Sequence, residues 1–239
     1  EDPAAWDRFF TGYREFIDTL TGLVEDGTVS QDRIDDAVSR ILTAKFELGL
    51  FEHPLTDRSH LSQVGSKAHH RVARRAAAES QVLLRNEHRT LPLKPRTDVY
   101  VAGSNADNIG NQAGGWTLTW QGGSTNVIPG TTILDGIEHD SHGRVVYSED
   151  ASKPVPHRSV GVVVVGETPY AEGFGDVGGP QWAYDPADHN VPRPPQTMEL
   201  SAADRGAVET VCAQASRCVV LVVSGRPVVI PPALLQQTD

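Results

Sequence analysis

The chain has 239 residues, 38% hydrophobic and 22% charged, with a formal net charge of −10. That composition fits a globular protein with one large domain or a domain plus an appendage, and the acidic balance argues against nucleic acid or an anionic membrane as partner. No apolar run approaches the roughly 20 residues of a membrane helix, so no membrane partner is expected.

The chain opens Glu1-Asp2-Pro3 and its one methionine is Met198, which reads as a fragment or processed piece. A missing leader is then no guide to the compartment. Trp6, Phe9, Phe10, Tyr13, Phe16, Ile17, Leu20, Leu23 and Val24 recur at helical spacing up to Gly27. Ser30 is placed as the N-cap of a second helix whose buried face is Ile34, Ala37, Val38, Ile41, Leu42 and Phe46, with Gly49 as its stop. Two helices with no strand between them need a further partner for these faces. Residues 50 to 66 break the periodicity and read as a linker. A third helix is expected over about His69 to Arg85, its alanines suited to packing on a sheet.

From Asp98 the pattern alternates. Asp98–Ala102 reads as a strand, 106–115 as a glycine-broken turn or short helix, Thr132–His139 as a helix and Gly143–Tyr147 as a strand. Val162 to Val165 are four consecutive valines, the pattern of a strand buried on both faces of a parallel sheet. A proline-rich loop covers 177–200. Ser201 caps a helix through Ala215, and Cys218–Val223 is another buried strand. Strands alternating with helices imply an α/β fold with a mostly parallel sheet.

The loop after the valines, Gly166-Glu167-Thr168-Pro169-Tyr170-Ala171-Glu172-Gly173-Phe174-Gly175-Asp176, lies where α/β sheets place ligands, at the carboxyl end of a central strand. Its carboxylates are the first candidates for acid/base work. A second stretch, Gly114-Gly115-Trp116-Thr117-Leu118-Thr119-Trp120-Gln121-Gly122-Gly123, sets two tryptophans between glycine pairs. Indoles stack on the C–H faces of sugars; they also close over a domain's own core, and composition leaves both readings open. No stretch matches GxGxxG or GxxxxGK[ST], so no nucleotide cofactor is expected. The nine histidines show neither HExxH nor Cys/His spacing, so no metal is expected. Ser224 lacks the preceding glycine of a nucleophile elbow.

Six stretches in register then resemble glycoside hydrolase family 3, in its β-glucosidase and β-glucan exohydrolase branch. They are ARRAAAESQVLLRNEHRTLPL, VAGSNADNIG, GGWTLTWQGG, GTTILDGI, VVVVGETPYAEGFGD and VSGRPVVI, and RIDDAVSRILTAKFELGLFE resembles the last helix of the family's barrel domain. The resemblance implies a (β/α)8-like barrel followed by an α/β sandwich, with the active site between them. It implies barrel helices at 1–52, a linker at 53–68 and the sandwich at 69–239. The barrel's Ser-Asp-Trp-type nucleophile motif is absent here.

The same resemblance implies a retaining exo-acting β-glycosidase acting on terminal β-D-glucosyl residues, with β-glucosides or β-gluco-oligosaccharides as partners and no cofactor. Glu172 carries over as the acid/base, held protonated by partial burial and by the nucleophile's charge. Glu167 is its rival, with a loop-bonding role as the alternative, and Asp176 orients the loop. Trp120 carries over as the residue lining the leaving-sugar subsite, with Trp116 beside it toward the domain interface. Trp182 and Tyr184 lie in a loop longer than in plant members, and a cap over the site and a disordered segment are the two readings of it. A tight turn joins Cys212 to Cys218, and plant relatives bridge a similar pair. The alternative is two buried thiols; a disulfide would favour a periplasmic or secreted parent. The competing reading of the whole chain is a non-catalytic carbohydrate-binding or interaction module of the same fold, and a nucleotide-binding α/β domain comes third.

Overall fold

A computed structural model describes residues 3–126, 128–172 and 197–239, with side chains described from residue 12 onward. The expectations for Asp176, Trp182 and Tyr184 lie outside the described residues. The chain divides into two compact units, Glu1–Val82 and Leu83–Asp239.

The first unit is helical: α1 (Pro3–Glu25), α2 (Gln31–Glu47) and α3 (Lys67–Glu79). Ser30 caps α2 by accepting the amide of Arg33, and Gly49 follows its end at φ 65°. None of the side chains described in this unit is buried, and Phe16, Ile41 and Phe46 are each more than half exposed. Helix α3 starts at the Ser66 cap and ends at Glu79, short of the expected Arg85. The side chains of Ser80 and Gln81 both donate to the carbonyl of Ala77, which satisfies the last turn there. No residue of α3 is buried within its own unit.

Among the described residues, the second unit is built on four parallel strands: β1 (Val99–Ala102), β2 (Val145–Tyr147), β3 (Val160–Gly166) and β4 (Arg217–Val223). Their order is β2-β1-β3-β4. Helices α4 (Ile109–Ala113), α5 (Ile133–Asp140), α6 (Ala202–Gln214) and α7 (Pro232–Leu235) complete it. The continuous valine run has the cause inferred for it: β3 pairs on both edges and is covered on both faces. Val163 and Val165 pack with Val208 and Val211 of α6, while Val162 and Val164 pack with Leu134 of α5. Full burial of one such valine contributes about 1.5–3 kcal/mol. Thr132 and Asp135 form a reciprocal capping box at the start of α5.

Connections from β1 run to β2 on one side and, by way of β2, to β3 on the other. This reversal of direction makes a switch point between the carboxyl ends of β1 and β3, where open α/β sheets place their ligands.

Candidate active site

Strand β3 ends at Gly166, whose φ of 152° turns the chain so closely over β4 that a Cβ would collide with the carbonyl oxygen of Val223. The next residue, Glu167, is drawn down beside β4: its amide donates to that same carbonyl. Its carboxylate accepts from Nε of Arg226 at 2.8 Å, and the Arg226 guanidinium lies 4.6 Å from the ring centre of Tyr170. The Glu167 side chain is 10% exposed and that of Arg226 is 21% exposed. Glu167 is therefore an anchor that ties the β3 loop to the turn after β4.

The chain then emerges toward Glu172, which is exposed. Here the tryptophan loop meets it. Gly115 lies so close to the carbonyl of Tyr170 that a Cβ would collide with its oxygen. Gln121, 2% exposed, accepts from the amide of Ala171 at 2.8 Å and donates to the carbonyl of Glu172 at 3.4 Å. The rings of Trp116 and Trp120 stand 6.3 Å apart, centre to centre. Both indoles act on the Glu172 carboxylate as donors that lower its pKa, since an indole N–H can only donate. Trp116 is 71% and Trp120 38% exposed, so the reading in which both close over the core is not what the structure has.

The carboxyl of Glu172 is held below its ordinary value by its own backbone amide first; desolvation, the next largest effect, opposes this, and Trp120 and then Trp116 add to the lowering. Within this chain the group is exposed and surrounded by donors that favour its charged form; the expected protonation depends also on the nucleophile's charge, which this chain does not supply.

On the β1 side, buried Asn105 donates its amide N–H to the Val164 carbonyl and accepts from the side chain of Asn111. Asp204, at the start of α6 and 3% exposed, accepts from both the amide and the hydroxyl of Ser104. Gln121, Arg226 and Asp204 were not singled out in the sequence. Each acts through a partner 50 or more residues away, and the signals on offer were the motif positions of Gln121 beside Trp120 and of Arg226 in VSGRPVVI.

Cys212 and Cys218 form a disulfide across the turn from α6 to β4, with Cα atoms 5.0 Å apart. Cys218 lies near the amino end of its strand, away from the loop that carries Glu172. Among the described residues no group of His, Cys, Asp and Glu is arranged to hold a metal ion, and no helix is long and apolar enough to cross a membrane.

Residues 81–239 match the glycosyl hydrolase family 3 C-terminal domain. The chain belongs to glycoside hydrolase family 3. It is similar to the lysosomal beta glucosidase of Dictyostelium discoideum, with 32% identity over 66% of this chain and 22% of that protein. It is also similar to the periplasmic beta-glucosidase of Salmonella typhimurium, with 31% identity over 63% of this chain and 19% of that one. A solved variant of the exo-1,3/1,4-beta-glucanase from a Pseudoalteromonas species superposes with a TM-score of 0.74 at 30% identity, covering 94% of this chain and 35% of the other. The Listeria innocua beta-glucosidase, solved with glucose, gives a TM-score of 0.66 at 25% identity, covering 92% and 29%. The chain thus spans about a fifth of the length of these curated relatives.

Proposed function

We propose that this family 3 chain supplies the acid/base half of a retaining, exo-acting β-glucosidase that removes terminal β-D-glucosyl residues. The observation that carries the reading is the contrast at the β3 loop: Glu167 is committed to Arg226, whereas Glu172 is exposed and met by two indoles. In the proposed route a nucleophilic carboxylate attacks the anomeric carbon while Glu172 protonates the departing glycosidic oxygen. Glu172 then takes a proton from water, which hydrolyses the glycosyl-enzyme. Two carboxyls about 5–5.5 Å apart suit this route. The nucleophile would come from a barrel domain of the same parent chain, of which residues 1–52 are the last helices, with 53–68 as linker and 69–239 as the sandwich. The apolar faces exposed on α1 and α2 support that assignment.

In this reading Trp120 stacks on the leaving sugar and Trp116 flanks it toward the barrel. Closure of the site would strip solvent from Glu172 and bring the nucleophile's negative charge near it. Both changes favour the neutral acid and oppose the donors that lower its pKa here. The periplasmic and lysosomal relatives, together with the disulfide, support a periplasmic or secreted parent.

One observation favours a second reading. An exposed, readily ionised carboxylate between two tryptophans also suits a non-catalytic module that accepts sugar hydroxyls. The test is made in the full-length protein that carries this chain. Glu172→Ala is expected to lower turnover of an oligosaccharide by about 10²–10⁴-fold, the usual range for an acid/base. An activated aryl glucoside should suffer less in its first step, and azide should restore its second. Unchanged turnover in Glu172→Ala would leave the binding-module reading standing.

A further inference from the structure

We infer that Gln121 is a positioning residue for the proton-transfer step, fixing the backbone that carries Glu172. The inference rests on Glu172 being the acid/base. Gln121 sits next to Trp120, yet its side chain turns away from solvent, and its carboxamide spans two consecutive residues of the opposite loop. Oε1 takes the Ala171 amide at 2.8 Å and Nε2 reaches the Glu172 carbonyl at 3.4 Å. A donor and an acceptor at the end of one side chain are offered only by glutamine and the shorter asparagine among neutral residues with a planar amide. Buried as it is, this amide cannot turn to water, and the Ala171 amide would lose its partner if the glutamine were removed.

The tryptophan loop is itself held in a demanding conformation. Trp116 and Leu118 adopt φ of 60° and 62°, the left-handed region that bulky residues rarely occupy. Such geometry persists only where its surroundings over-determine it. The bonds from the Trp116 amide to the Trp120 carbonyl at 2.9 Å, and from the Thr117 hydroxyl to the Ala113 carbonyl at 3.3 Å, supply part of that hold. One loop thus grips Glu172 at both ends: the indoles at the carboxylate and Gln121 at the backbone. The Gln121 clamp fixes where the residue begins, and hence where its proton is delivered.

The test uses the full-length protein and a series of aryl β-glucosides running from good to poor leaving groups. Glu172→Gln sets the reference: a loss that grows steeply as the leaving group worsens. Gln121→Met keeps the length and approximate volume but removes both hydrogen bonds. It is expected to show a loss of the same kind, about 10²-fold on the poorest leaving group, the cost of about 1 Å of misplacement. The best leaving group should be little affected, and KM should change little throughout. If Gln121→Met does not accumulate as folded protein, Gln121→Asn carries the test. It keeps both groups but shortens their reach, and should give a smaller loss with the same leaving-group dependence. An equal loss on every substrate, or none, in whichever variant folds overturns the inference. If Glu172→Gln is steep while the Gln121 variant is flat, only the Gln121 role falls. If Glu172→Gln is itself flat, the acid/base reading falls and takes this one with it.

Discussion

Glu167 and Glu172 share one loop, yet their surroundings divide the work that a carboxylate can do. Glu167 leaves the strand end downward, against β4, where an arginine and the backbone hold it in a largely dry place. Glu172 leaves the same loop outward, among donors that reach it from a second loop. A carboxylate committed to a guanidinium is a fastener, because releasing its partner would strand a buried charge. An exposed carboxylate held by indoles can exchange a proton without breaking the fold. Residue type at the end of a central strand is therefore a poor guide to role; the partner decides it.

The broadest way to break this contrast is to ask whether the chain needs anything beyond Glu172. Expressed alone and purified, it is expected to turn over no aryl β-glucoside, because a retaining mechanism requires a second carboxylate across the sugar ring. Turnover above background that vanishes in Glu172→Gln would show a complete site within these residues.

Exchanging the fastener should cost stability. Glu167→Gln leaves the Arg226 guanidinium facing a neutral amide, and a hydrogen bond to a charged group is worth about 1.5–3 kcal/mol. Because Arg226 keeps partial exposure, a loss of about 2 kcal/mol is expected in urea unfolding. The folded fraction of the full-length variant should retain its proton-transfer chemistry. A stable but catalytically dead Glu167→Gln would reverse the two roles.

A smaller effect sharpens the other half. In this chain the Glu172 carboxyl titrates below the ordinary glutamate value, first through its own backbone amide and then through Trp120 and Trp116. Trp120→Phe removes an indole donor and should raise that pKa, with Trp116→Phe raising it less; carbon-detected NMR titration of the side chain would follow both. The linked stability has a fixed sign. A depressed carboxyl contributes above its unfolded pKa, and the contribution is lost as pH falls through the folded one. The Trp120→Phe chain should therefore lose less stability on acidification than the parent chain. An unmoved titration would mean that the indoles do not engage the carboxylate in solution.

Much of this architecture could be read from local sequence. The four valines marked β3 because burial on both faces leaves no alternation, and Ser30 and Ser201 declared their helices because capping is a matter of three residues. The resemblance brought Glu172, Trp116 and Trp120 forward together, and the structure puts them in one place. The pairings that give each glutamate its surroundings could not be read that way. Gln121 looked like loop filler between tryptophan and glycine until its partners, 50 and 51 positions on, were in view. Arg226 read as part of a turn, though it holds Glu167 across 59 positions. The protonation of Glu172 depends on groups outside this chain: the implied closed site adds burial and a second carboxylate, whereas the donors around an exposed group act here. The end of α3 was overrun because Leu83 and Leu84 continue a helical pattern, although each is well exposed in the structure.

The central claim, that Glu172 and not Glu167 moves the proton, is tested most directly by the pH dependence of kcat/KM in the full-length protein. The wild type should give a bell whose alkaline limb reports an acid that must be protonated. That limb is expected to disappear in Glu172→Gln when an activated aryl glucoside is used, and to persist in Glu167→Gln. An alkaline limb that survives in Glu172→Gln and is lost in Glu167→Gln would contradict the account.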